Sequence, residues 1–104
     1  MGGANSAYLL SEAADQGNLE AMKNLVEQGV DLELVYYKNR TPLLQCFYSP
    51  LITQNARMAM ALFLVSVGAN VNAIDHRGWS PLHYAASRGP PLFHPFHVDS
   101  FTVL

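Results

Sequence analysis

Two stretches of the chain have hydrophobic patterns that predict helices. In the first stretch, Leu19, Met22, Leu25 and Val26 fall at positions i, i+3, i+6 and i+7, with polar residues between them. This spacing predicts an amphipathic helix with one buried face. The second stretch is an uninterrupted apolar run of 8 residues at 58–65. It is shorter than the roughly 18 to 20 residues of a membrane-spanning helix, so it predicts a helix face buried inside a protein.

The sequence also repeats itself. Thr-Pro-Leu-Leu at 41–44 returns as Ser-Pro-Leu-His at 80–83, and Gly-Val-Asp-Leu-Glu at 29–33 returns as Gly-Ala-Asn-Val-Asn at 68–72. From 41 to 80 and from 29 to 68, the two copies of each segment are separated by the same offset of 39 residues. Self-similarity at a fixed offset is typical of stacked repeats, in which each unit buries its apolar face against its neighbour.

The offset contains an insertion. The segment from Ala14 to Gly29 is shorter by six residues than its counterpart from Phe47 to Gly68. The extra residues fall near 48–55, and their removal leaves a period of about 33. Long connections are either functional or merely tolerated, and the sequence leaves both interpretations open.

Residue types within the repeat predict where its helices begin and end. Thr41 and Ser80 suit helix N-caps, and each precedes a proline that fits the first helical position. Gly29 and Gly68 suit the left-handed position after a helix. Between these points, Asn39 and the matching glycine at 78 predict turns with positive φ at the tips of short projecting fingers.

This period and the Ser-Pro-Leu-His-x-Ala motif resemble the ankyrin repeat family. The resemblance covers residues 8–89 and is strongest over 68–89. It implies an all-α solenoid of about two and a half helix-turn-helix repeats with short finger loops, at 8–40, 41–79 (with the insertion) and 80–89 (partial). Residues 1–7 and 90–104 flank this region.

Three features depart from the family pattern. Residues 8–11 lack the Thr-Pro start, which suits a terminal repeat, and Leu44 replaces the usual histidine. Tyr36 stands where Asp75 stands one repeat later. Because tyrosine lacks the carboxylate that would bind backbone N–H groups, we expect the first finger to be looser than the second.

Composition narrows the class of function. The chain of 104 residues has 6 Lys+Arg against 8 Asp+Glu and a net charge of −2, without the clustered basic face that nucleic acid normally requires. Charge is uneven, with −5 over residues 1–37 and +3 over the remainder. The single cysteine, Cys46, excludes an internal disulfide. Residues 1–15 show no secretory signal pattern, so we expect a cytoplasmic location, with the nucleus as an alternative. We also expect a monomer.

Catalytic and metal chemistry find little support. Cys46 and His83 are expected on neighbouring helices. Cys46 occupies a small position that favours core packing, and His83 occupies the motif position at which the family uses the imidazole structurally. His94 and His97 have no further ligand beside them. No phosphate-binding glycine loop occurs. We therefore predict no catalytic residues, no metal site and no cofactor.

The chain ends carry weaker signals. Pro90, Pro91 and Pro95 prevent a second helix after 89, yet the tail is apolar. It is expected either to fold back over the end of the stack or to mark a truncated form of a longer repeat protein. Gly2 fits an acylation pattern, so membrane attachment is expected only if Gly2 is myristoylated. Residues 102–104 resemble a PDZ-domain ligand.

The resemblance implies protein binding through finger tips and the exposed ends of the inner helices. The interpretation is a non-catalytic interaction module with a protein partner; the alternative is a truncated or regulatory fragment with little independent binding. An alternative role for Trp79 and Tyr37 is to pack on a neighbouring finger without contacting a partner. The matching positions are Tyr37, Lys38 and Arg40 in the first finger, His76, Arg77 and Trp79 in the second, and Asp15, Gln16, Tyr48, Ser49, Ser87 and Arg88 on the helix side.

Overall fold

The computed structural model describes residues 3–88, with side chains from 6 to 87. This part of the chain consists of helices and loops without a strand, which confirms the all-α solenoid. The helices are α1 (Gly3–Gln16), α2 (Leu19–Glu27), α3 (Pro42–Tyr48), α4 (Gln54–Ser66) and α5 (Pro81–Arg88). The predictions for Gly2 and for residues 90–104, including His94 and His97, lie outside the described residues.

Side-chain caps start the helices. Thr41 accepts a hydrogen bond from the backbone N–H of Leu44 at 3.3 Å, as its place before a proline predicts. Asn18 caps α2 by accepting from Ala21 N at 3.1 Å, and Thr53 caps α4 from Ala56 N at 3.0 Å. Each cap satisfies a donor that the first helical turn would otherwise leave unpaired.

Gly29 and Gly68 follow α2 and α4 with φ of 85° and 102°. Both values lie in the left-handed region, which confirms the role predicted for these glycines. The chain then runs through an exposed loop into a finger before the next inner helix begins.

The helices pack in two layers. The inner layer places α3 between α1 and α5, and the outer layer pairs α2 with α4. The core lies between the layers, where Leu10, Met22, Leu44, Met60 and Leu64 are fully buried. Because the fingers project from the inner layer, they border one continuous face with α1, α3 and α5.

The residues predicted as an insertion are divided between two kinds of structure. Tyr48 ends α3, residues 49–53 form the connection, and Gln54 and Asn55 already belong to the first turn of α4. The corresponding connection between α1 and α2 contains only Gly17 and Asn18. The extra residues therefore lengthen both the connection and the outer helix.

Candidate functional site: the groove between fingers and inner helices

The first finger, residues 36–40, is a hairpin closed by a two-residue turn. Tyr36 N donates to Arg40 O at 3.3 Å, and Arg40 N donates to Tyr37 O at 3.1 Å. The two turn residues, Lys38 and Asn39, have φ of 58° and 60°. Positive φ at both positions is the geometry of a type I′ turn. The positive φ at Asn39 was predicted, whereas that at Lys38 was not.

The second finger, residues 75–79, is a similar hairpin that is closed by a different turn. Asp75 N donates to Trp79 O at 3.0 Å, but the tight turn bond runs from Gly78 N to Asp75 O at 2.9 Å. Gly78 has a φ of 78°, as predicted. His76 N donates to Lys38 O at 3.1 Å, so the backbones of the two fingers are joined directly.

Asp75 anchors the second finger. Its Oδ1 accepts from the backbone N–H groups of Arg77 at 2.8 Å and Trp79 at 3.0 Å, and its Oδ2 accepts from the Tyr84 hydroxyl. Burial by itself would raise the pKa of Asp75. The hydrogen bonds from Tyr84, Trp79 and Arg77, with the positive charge of Arg77, outweigh burial and hold the pKa below its usual value.

Arg40, predicted as an exposed contact of the first finger, is instead buried, with 6% of its surface exposed. Its guanidinium carbon lies 3.5 Å from the centroid of the Tyr48 ring. Its Nη1 donates to Gln45 Oε1 at 3.4 Å, and Gln45 Nε2 in turn donates to Asp15 Oδ1 at 3.0 Å. Arg40 thus anchors the first finger to α3.

Arg77 and Trp79 form a stack at the second finger. The Arg77 guanidinium carbon lies 4.5 Å from the Trp79 ring centroid, and Nη2 of Arg77 donates to the Tyr84 hydroxyl at 3.1 Å. Trp79 is half-buried, and its ring meets that of Tyr84 edge-on at 4.9 Å between centroids. Trp79 therefore packs on α5, while Tyr37 is 58% exposed.

The other predicted contact residues differ in accessibility. Ser49 is buried and donates to Asp15 O at 2.9 Å. Arg88 is the last residue of α5, and its side chain lies outside the described part. The remaining exposed positions are Asp15, Gln16, Lys38, Tyr48, His76 and Ser87.

Two clefts run together along the inner face. The helix cleft is bordered by α1, the first finger and α3, and it includes Tyr8, Glu12 and Tyr36. The finger cleft is lined by Tyr37, Lys38, Arg40, Tyr48, His76 and Arg77. Tyr37, Arg40 and Tyr48 line both clefts, which makes them a single groove, called the binding groove below.

Arg57 is a structural residue that sequence reasoning missed. It is buried, and its Nη1 donates to Cys46 O at 2.7 Å, Phe47 O at 3.2 Å and Ser49 O at 2.7 Å. These carbonyls lie at the C-terminal end of α3, where a cation is favourable. The available signal was one arginine immediately before an otherwise apolar run.

The residues considered for catalysis have structural surroundings. Burial raises the pKa of the Cys46 thiol to about 12, although the charge of Arg57 opposes the shift. A thiol with such a pKa is not an activated nucleophile. His83 Nδ1 accepts from Ser80 N at 3.0 Å, which links the two ends of the Ser-Pro-Leu-His motif.

Metal-ligand clusters and membrane-spanning helices are both absent from the part of the chain that the structure describes. Within 3–88, no three His, Cys, Asp or Glu side chains cluster as metal ligands would. Among the helices of this same region, none combines the length and apolar character that a bilayer crossing requires.

Comparison with known proteins agrees with the fold. The family model for ankyrin repeats, in three copies, matches residues 10–94. The chain therefore belongs to the ankyrin repeat family. As a class, ankyrin repeats mediate protein–protein interaction and are typically non-catalytic.

Curated relatives match over most of this chain. A candidate E3 ubiquitin-protein ligase of Arabidopsis thaliana, XBAT35, is 39% identical over 78% of the chain and 17% of its own length. The B-cell lymphoma 3 protein homolog of Mus musculus is 37% identical over 77% of the chain and 17% of its own length. The mouse RelA-associated inhibitor is 34% identical over 80% of the chain and 9% of its own length. The chain thus spans a fifth or less of these relatives.

Proposed function

We propose that this chain is a non-catalytic interaction module that binds a partner protein in the binding groove. The observation that carries the proposal is a row of exposed aromatic side chains on the inner face. Tyr8, Tyr36 and Tyr37 are 43%, 54% and 58% exposed and lie side by side along the groove. Tyr48 continues the row on α3.

These tyrosines are not needed to fill the core. The core between the two helical layers consists mainly of aliphatic side chains, with Phe47 and Tyr84 among its buried members. The Tyr8 and Tyr36 rings instead meet at the surface, with their centroids 5.5 Å apart. Tyrosine and arginine are enriched at interface hot spots because they bury a large area and keep a polar group. Their concentration beside Arg40 and Arg77 supports a protein-binding role for this face.

The test compares two exposed side chains in different layers. Tyr37→Ala removes an aromatic ring from the groove, and Leu62→Ala removes an apolar side chain, 49% exposed, from the outer helix α4. The full chain and both variants would be tagged and used to capture proteins from cell extract, with quantification by mass spectrometry. We expect Tyr37→Ala to reduce capture of specific partners about tenfold, and Leu62→Ala to leave it unchanged.

Equal capture by all three proteins would contradict binding in the groove. A chain that captures nothing specific would favour the alternative, a regulatory fragment of a longer repeat protein with little independent binding. Thermal melts of both variants, which we expect to match the wild-type protein, separate lost contacts from lost folding.

Further aspects of the proposal rest on the sequence. A monomer located in the cytoplasm or the nucleus fits a chain with one cysteine, since disulfide frameworks are typical of small secreted domains.

The ligase activity in the name of the plant relative belongs to that longer protein, and the repeat region proposed here as a binding module takes no catalytic role from it.

A further inference from the structure

The finger cleft has a one-sided charge distribution. Three of its six lining residues, Lys38, Arg40 and Arg77, are positively charged, and none of the six is a carboxylate. We propose that this cleft binds an aspartate or glutamate side chain carried by an extended segment of the partner protein. This inference rests on the proposed function, since it names the chemistry that the binding groove selects.

Arg40 provides the first support. It is buried and lines the cleft, yet within residues 6–87 it has a neutral amide, Gln45, as its only hydrogen-bond acceptor, and its Nε has none. No carboxylate of that region pairs with it. A buried cation is costly unless an anion accompanies it, so an incoming carboxylate would stabilise the site.

The local carboxylate of the second finger does not neutralise the cleft. Both oxygens of Asp75 are bound, Oδ1 by the N–H groups of Arg77 and Trp79 and Oδ2 by Tyr84. Arg77 itself is held by Tyr84 and the Trp79 ring, and its other N–H groups have no acceptor among the described residues. A guanidinium fixed in this way loses little side-chain entropy when it binds a carboxylate.

The two ends of the binding groove carry opposite charge. Glu12 and Asp15 line the helix cleft, while Lys38 and Arg77 line the finger cleft. An acidic residue on a bound segment is therefore attracted to the fingers and repelled from α1. This polarity favours one orientation of the segment, with its acidic residue at the fingers.

The test uses random peptides displayed on phage and selected on the full chain. We expect aspartate and glutamate to be enriched among the selected peptides, with lysine and arginine depleted around them. A synthetic copy of the strongest peptide would then be measured by fluorescence anisotropy. We expect Arg77→Gln to weaken its binding about tenfold, and high salt to weaken binding to the wild-type protein.

Lys23→Gln is the matched control, because Lys23 is an exposed lysine on the outer helix α2 and lies near Phe63. We expect it to leave peptide affinity unchanged. Replacement of the peptide's acidic residue by its amide should reproduce the loss seen with Arg77→Gln, and the two changes together should weaken binding no more than either alone.

Three results would overturn the inference. If the selected peptides are apolar or basic and depend on Tyr37 but not on Arg77, the acidic site is wrong while the proposed function stands. If no selected peptide depends on any groove residue, both fail. If a phosphopeptide or a short single-stranded oligonucleotide displaces the acidic peptide and binds more tightly, the assignment to a carboxylate-bearing protein segment is wrong.

Discussion

The two complete helical pairs join their helices differently. In the first pair, Gly17 and Asn18 are the whole connection, and Asn18 caps α2. In the second pair, Thr53 caps α4 as Asn18 caps α2, and Arg57 in addition binds the carbonyls at the end of α3. A short connection needs only a cap, whereas a longer one leaves more backbone carbonyls that must be satisfied by a side chain.

The longer connection also packs against the shorter one. A Cβ atom on Gly17 would lie 3.1 Å from Cγ2 of Ile52 and 3.3 Å from Cβ of Ala56, and Gly17 has a φ of 68°. The insertion therefore contributes to the contact between neighbouring repeats, although Leu51 at its tip is 87% exposed. Whether it also serves a partner stays a prediction.

The two fingers repeat this contrast on a smaller scale. Both have the hairpin bond that spans the finger, but the first is anchored by Arg40 on α3 and the second by Asp75 within its own loop and on α5. Similar backbones thus depend on anchors from different positions. The expectation that the first finger is looser stays a prediction, since its missing carboxylate is partly replaced by the Arg40 contact.

The largest expected effect comes from Arg57→Met. The substitution keeps the long side chain but removes donors to Cys46 O and Ser49 O, so buried acceptors lose their partners. We expect the free energy of unfolding, measured by urea denaturation, to fall by about 3 kcal/mol.

Asn18→Ala is the control for this comparison, because it removes only the cap of α2 from the short connection of the first pair. We expect a smaller loss of about 1 kcal/mol. Equal losses for the two variants would show that the long connection does not depend on Arg57 more than the short one depends on its cap.

The second prediction concerns Asp75→Asn and has a pH dependence. The pKa of Asp75 is lower in the folded protein than its usual value of 3.8, so its stabilising contribution is complete above that value. The contribution is lost as the pH falls below 3.8 and through the folded pKa. At neutral pH we expect the substitution to cost about 1 to 2 kcal/mol.

Urea denaturation of the wild-type protein and Asp75→Asn would be compared from neutral pH down to about pH 2. The difference between them should shrink in acid. A difference that is independent of pH would show that the charge of Asp75 does not anchor the second finger.

The smallest expected effects concern the finger turns. Lys38→Gly relieves the positive φ of a side chain in the first turn and should raise stability by about 0.5 to 1 kcal/mol. Gly78→Ala introduces the same strain in the second turn and should lower stability by about 1 kcal/mol. Since a Cβ at Gly78 meets no atom within 4 Å, the cost is conformational. Thermal melts would measure both, and shifts of the same sign would contradict this account.

Much of the fold was predictable because its signals are local. The Thr41 cap, the glycines after α2 and α4 and the apolar spacing of each helix act within a few residues of the chain. The Arg40 and Arg57 anchors were not predictable, because these side chains act on residues of other elements, whereas the bonds of Asp75 to the backbone of its own finger were expected. Arg40 was assigned to the partner contacts by its matching position in the family's finger, although it is buried on Tyr48.

By itself, the sequence determined the repeat, its period, where α3 and α5 start, where α2 and α4 stop, and the family. These follow from backbone preferences and hydrophobic spacing, which depend on near neighbours along the chain. Only the tertiary structure decided which charges are buried, which tyrosines remain exposed, and that acidic and basic residues separate along one groove. Those properties arise from contacts between residues distant in sequence, and side-chain identity alone does not fix them.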